Sequence, residues 1–216
     1  MHRLSLLLLC TLALPLGVYA QPLSYRLDPV HTRLLFAVSH AGYSQALGTV
    51  SGSTGTVRFD PDDWASAAVS VSIPMKRFDL GDAGWNRAAG APALLDVEAH
   101  PTATFVSNRI ESRDKQHAKV CGPLTFRGVA RDVCLDVTFN QLKRLSLPPF
   151  RRIAGFSATT TISRKAFGMD AWQGLIGDDV GLRIEAEAEL ARDQTTPGSQ
   201  PPTDAPPPPA PVAPRP

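Results

Sequence analysis

A two-residue beat of apolar side chains runs through most of this chain and limits what it can fold into more than any other feature. In "AAVSVSIP" Val69, Val71 and Ile73 fall on one parity and Ser70 and Ser72 on the other. In "IEAEAEL" Ile184, Ala186, Ala188 and Leu190 oppose Glu185, Glu187 and Glu189. Successive strand residues point to opposite faces, so this pattern describes strands with one buried and one wetted face. The same reading predicts strands over 32–40, 46–51, 53–59, 101–110, 117–126, 131–140 and 152–163, eight or nine in all. Strands of this kind belong to an antiparallel sandwich or a closed barrel, because an all-parallel sheet is covered on both faces and reads as continuous apolar runs.

The size of the inward residues favours the barrel. In "AGFSATTTIS" the inward set is Ala154, Phe156, Ala158, Thr160 and Ile162, and two of the four inward residues of 184–190 are alanine. An eight-stranded barrel is filled by its own side chains or holds one small ligand. Small inward residues therefore mean either room for a ligand or a taper in which they oppose large ones. One stretch breaks the pattern: "LGDAGWNRAAGAPALLDVEAH" is rich in Ala and Leu and predicts a helix, interrupted by Gly90 and Pro92.

Composition divides the 216 residues into three parts. Residues 1–20 carry Arg3, an apolar run from Leu4 to Val18, and Val18-Tyr19-Ala20 before Gln21, the pattern of a secretory signal peptide cleaved after Ala20. Cys10 follows Leu9, where lipid attachment would want a small residue. Residues 192–216 are dominated by proline without apolar periodicity and predict an extended, disordered tail. Residues 21–191 are left as one domain, expected to be exported. The net charge of +2 falls by the one of Arg3 on processing, and no basic stripe appears, which argues against nucleic-acid binding.

Polar residues within the apolar beat are few. In "LLFAVSH" the buried set Leu34, Phe36 and Val38 continues into His40, which is either a satisfied core or rim residue or a functional one. "KVCGPLTFRGVARDVCLDV" reads as a hairpin turning at Arg127-Gly128. That register sets Cys121 opposite Cys134, both on the outer parity, so a cross-strand disulfide is geometrically open to an exported protein. The alternatives are two free thiols or a metal pair, and the metal pair lacks further ligands at suitable spacing. No catalytic or metal set emerges. "GYSQA" matches a nucleophile elbow in its first three positions alone, and His31, His40, His100 and His117 show no paired spacing on one element.

Five ordered blocks resemble the YceI-like family of exported bacterial barrels that bind polyisoprenoid or related lipids. They are "YRLDPVHTRLLFAVSHAG", "LGTVSGSTGTVRFD", "HPTATFVS", "GPLTFRGVARDVCLDV", and "GFSATTTISRKAFGMD" with "IGDDVGLRIEAEAEL", spanning roughly residues 25–191. Where members usually carry Arg-Asp-x-His-Leu and then Phe-Phe-Asp, this chain has "NRAAGAPALLD", and Ser53 stands where an aromatic is common. The resemblance implies an all-β fold, a lipocalin-like antiparallel barrel of eight strands with one helical segment near an end. With no catalytic set found, no enzyme activity is expected, and the resemblance implies no cofactor beyond a bound isoprenoid lipid such as a ubiquinone or polyprenyl lipid. For a lipid held inside such a barrel the expected wall is Phe36, Val38, Val71, Ile73, Phe105, Leu124, Phe126, Phe156 and Ile162, with His40 as a candidate for the ligand's polar head. A second implication is a protein partner: some members are associated with membrane b-type cytochromes, and such an accessory barrel could be packed solid.

Overall fold

The computed structural model describes residues 22–192. The signal peptide predicted at 1–20 and nearly all of the proline-rich tail predicted at 192–216 lie outside the described residues. Twelve strand segments form one antiparallel sheet. They are β1 (Leu23–Leu27), β2 (Arg33–His40), β3 (Ser44–Ser51), β4 (Thr54–Phe59), β5 (Ala68–Pro74), β6 (Phe78–Asp79), β7 (Thr102–Val106), β8 (Arg109–Ser112), β9 (His117–Phe126), β10 (Val129–Arg144), β11 (Arg152–Ser163) and β12 (Ile176–Leu190). A helix α1 (Ala83–Gly90) and three short 3-10 turns complete the described chain.

The segments fill eight strand positions. β1 and β2 lie end to end beside β12, which pairs Ala188 with Leu27 and Glu185 with Arg33. β3 and β4 likewise share one position, as do β5 with β6 and β7 with β8. These four pairs and the four uninterrupted strands β9 to β12 make the eight. Closure comes from β1, which pairs Tyr25 with Val57 on one side and with Leu190 on the other, so the sheet has no free edge along this line.

The breaks have local causes. Asp28 turns the chain between β1 and β2, its Oδ1 accepting from the N–H groups of Val30 and His31 at 2.7 and 3.1 Å. Gly52 at φ +78° separates β3 from β4 and donates its N–H to Pro29 O. Between β7 and β8 the carbonyl of Val106 bulges against Gly122, where an added Cβ would stand 2.0 Å from that oxygen. The predicted strand over 101–110 is thus two segments, and that over 184–190 extends back to Ile176. The five-residue β1 is too short for its Tyr25–Leu27 alternation to signal a strand.

The predicted helix over 80–100 is confined to Ala83–Gly90. Asp82 caps it by accepting from Trp85 N at 2.9 Å, and it ends at Ala91 before Pro92, whose ring cannot continue a helix. The residues after it run in turns across the same end of the barrel. At the opposite end the lumen is sealed by aromatic rings. Phe59 meets Trp64, Phe139 and Phe156 at centroid distances of 4.9, 4.8 and 5.1 Å, and Trp64 Nε1 donates to Lys115 O. Ala154 and Ala188 are fully buried against this cluster, so there small residues oppose large ones.

The hairpin register is the one its sequence predicts, Cys134 opposite Cys121, and the two are disulfide-bonded. Both face away from the lumen. Cys121 is nonetheless fully buried, and Arg109 Nη2 lies 3.8 Å from Cys134 Sγ.

Candidate ligand-binding cavity

Above the aromatic plug the barrel is hollow. An inner cavity of about 150 Å³ is lined by Val71, Phe105, Phe156, Ala158, Thr160 and Ala186 among others. A larger one of about 610 Å³ reaches the end covered by α1, with walls that include Phe36, Val38, His40, Phe126 and Ile162. Leu34, Ile73, Leu124 and Leu182 line both, so the two lie end to end along the lumen. The volume falls within the range of sites for drug-sized ligands. Ala158, Thr160 and Ala186 face this space, whereas Ala154 and Ala188 are covered by the plug.

Each residue expected in the wall lies on one of these linings. Phe36, Val38, Ile73, Leu124, Phe126 and Ile162 line the larger cavity, and Val71, Phe105 and Phe156 the inner one. Their even or odd parity sends them inward, and closure brings them to a common lumen. His40 sits at the mouth. Its ring lies 5.4 Å from that of Trp85, and its ring nitrogens have no hydrogen-bond partner among the described residues. The reading in which His40 satisfies buried backbone finds no such bond. The other described histidines do not join it: His31 and His117 bond Asp28 and Asp114 at 2.8 and 2.9 Å, and His100 lies 3.8 Å from Asp96.

The polar side chains of the larger cavity are Ser39, His40 and Arg164. Sequence reasoning missed Arg164, which is 3% exposed. Its Nε and Nη2 donate to the carbonyls of Gly177 and Ile176 at 2.8 and 2.9 Å, and its Nη1 donates to Met169 O. No carboxylate side chain among the described residues lies within ion-pair distance of it. A cation this buried is held by hydrogen bonds to backbone dipoles rather than by a counter-ion. Asp178 strengthens the same clamp: the Lys165 N–H holds its carboxyl below the usual aspartate range, against the upward push of desolvation and with help from Ser163 Oγ. The signal that could have found Arg164 is an arginine directly after the apolar beat of β11.

The mouth itself is built from segments distant in sequence. α1 contributes Trp85, Ala88 and Ala89, the turns after it Leu94 and Leu95, and the loop before β12 Trp172 and Leu175. None of these was singled out from periodicity, because loops carry none.

A profile of the YceI-like domain family matches residues 25–188. The chain is 29% identical over 174 residues to a UPF0312 protein of Ectopseudomonas mendocina, covering 80% of this chain and 90% of that one. It is 31% identical over 170 residues to a UPF0312 protein of Pseudomonas putida, covering 78% and 87%. Among solved structures, Burkholderia cenocepacia BcnA superposes with a TM-score of 0.64 at 27% identity, covering 72% of this chain and 95% of that one. A polyisoprenoid binding domain from Saccharophagus degradans shares the fold, with a TM-score of 0.59 at 14% identity, over 78% of this chain and 99% of that one. The chain belongs to the YceI-like domain family.

Proposed function

We propose that this YceI-like protein is an exported carrier that holds one polyisoprenoid-type lipid, a quinone or a polyprenyl lipid, with its apolar chain along the lumen and its polar head at the mouth. The observation that carries this reading is a lumen hollow from mouth to plug with largely apolar walls, in which Thr32, Ser53 and Thr160 are the polar side chains of the inner part and Ser39, His40 and Arg164 those of the open end. Burying a chain there contributes about 0.8 kcal/mol per methylene before ordering costs. His40, with free ring nitrogens, and Ser39 are positioned to bond a head group that would otherwise lose its water. The fold shared with the Saccharophagus degradans domain supports the same ligand class. A hollow interior is what the ligand reading needs, whereas an accessory barrel acting through its surface alone does not need one.

Native mass spectrometry of protein purified without detergent tests the proposal. The expected result is a species heavier than the polypeptide by one isoprenoid lipid, and a delipidated sample that takes up a ubiquinone or polyprenol one to one. A bare polypeptide mass that stays unchanged on titration refutes it. N-terminal sequencing of protein recovered from the periplasmic fraction tests export, with Gln21 as the expected first residue.

A further inference from the structure

The mouth does not end in a polar collar. Tyr43 is 92% exposed, Trp172 62%, Leu175 47% and Trp85 44%, and all four stand around the open end. Their segments touch: Ala41 N donates to Leu175 O, Trp85 meets His40, and His40 pairs with Ile176. Leu47, on the outer face of β3 beside them, is 67% exposed. Trp85, Trp172 and Leu175 also line the cavity, so apolar surface runs without interruption from the lumen onto the outside. Exposed apolar surface of this extent at one end of a barrel marks a place where something docks.

Two further observations identify the occupant. The rim segments 41–47, 80–95 and 168–177 carry Asp82, Arg87 and Asp170 as their charged residues; Asp82 is engaged as the cap of α1, and Arg127 of the adjoining hairpin is tied down by donating to the carbonyls of Gly168 and Pro92. A surface poor in charge but bearing two tryptophans and a tyrosine suits the interfacial layer of a bilayer, where amphipathic rings partition. Trp172 is moreover held outward in a left-handed backbone conformation, φ +59°, by a turn in which Leu175 and Ile176 both donate to its carbonyl. A bulky residue at positive φ is strained, and such strain collects where a side chain must be presented.

We propose that this aromatic rim docks on a neutral lipid bilayer, so that the lumen opens directly into the acyl layer and an apolar ligand passes between membrane and barrel without crossing water. This rests on the lipid-carrier reading above. Leu23 and Ala191, each one residue inside an end of the described chain, lie at the plugged end, away from the contact.

The test is flotation of the delipidated protein with phosphatidylcholine vesicles, together with tryptophan quenching by brominated acyl chains. Wild type is expected to float with the vesicles, with less than about a twofold change between low and high salt because few charges take part. Trp172→Gly, which suits the left-handed turn, should remove the Trp172 share of the quenchable emission and leave that of Trp85, whereas Trp64 at the plug stays unquenched. Tyr43→Ser combined with Leu47→Ser touches no cavity wall and should lower vesicle partitioning about tenfold or more while leaving polyprenol uptake from ethanol unchanged. Leu147→Ser combined with Phe150→Ser, exposed at the other end, should float like wild type. Wild type that stays in solution, or a loss equal in the two double variants, overturns the docking. Uptake from ethanol without flotation overturns docking and leaves the carrier reading standing. Flotation without any uptake supports docking and removes the carrier reading.

Discussion

Substituting Gly48 by alanine should narrow the lumen without unfolding the barrel. Gly48 pairs directly with Phe36 across β2 and β3, and the phenyl ring lies over the bare backbone of the glycine. A Cβ built there falls 2.2 Å from Phe36 Cζ and 2.7 and 2.8 Å from the two Cε atoms. Ordinary carbon contacts are about 3.5–4.0 Å, so the ring must retreat by about 1.3–1.8 Å. The backbone of Gly48 is not in the left-handed region, so alanine fits the strand itself. The free direction for the ring is into the cavity of about 610 Å³ that Phe36 already lines. With that space open, the empty protein should lose less than about 1 kcal/mol, partly offset by the lower chain entropy of alanine in the unfolded state. A ring lifted into the lumen displaces about two methylenes of ligand, or about 1.6 kcal/mol, which weakens binding a little more than tenfold. Denaturant unfolding of the delipidated protein and a fluorescence titration with a polyprenol of defined length measure the two quantities. Unchanged affinity beside a stability loss of about 1–3 kcal/mol would mean that the strands had moved apart instead of the ring lifting, and would refute the reasoning.

Replacing Arg164 by methionine keeps the stem but strips the carbonyls of Met169, Ile176 and Gly177 of their donors, and thermal unfolding should report a loss of about 3 kcal/mol or more. Thiol labelling of unfolded, unreduced protein should find no reactive Cys121 or Cys134; reduction should cost at most about 3 kcal/mol, and less if the hairpin persists in the unfolded chain. His40→Ala should weaken ligand binding by about 0.5–1.5 kcal/mol while unfolding of the empty protein is unchanged, because the ring bonds no backbone; an equal loss in empty and loaded protein would return His40 to a structural role. Asp178 has a depressed pKa in the folded protein, so its contribution is complete above the unfolded aspartate value and is lost as pH falls through the lower folded value. An Asp178→Asn variant should therefore be less stable than wild type at neutral pH and should converge with it at strongly acidic pH, as measured by denaturant midpoints.

Alternation by twos encodes which face of a strand is buried, and that much is local. It sends Phe36, Val71, Phe105, Phe126 and Ile162 inward, and the tight turn at Arg127-Gly128 sets Cys121 against Cys134, because a short hairpin turn leaves one register open. What alternation cannot encode is which strands become neighbours at closure. The pairing of Tyr25 with Leu190 joins the two ends of the domain through one five-residue segment whose own pattern is too short to announce it. Nor can it say what an inward alanine faces: Ala154 and Ala158 sit two steps apart on one face of β11, yet one is buried against the Phe59 plug and the other lines the cavity. That difference depends on side chains arriving from other strands at the same height in the barrel. The mouth is more strictly tertiary still. Trp85, Arg164 and Trp172 stand on a helix, a strand end and a strained loop, elements without a shared period, and they meet because closing the barrel brings these ends to one rim.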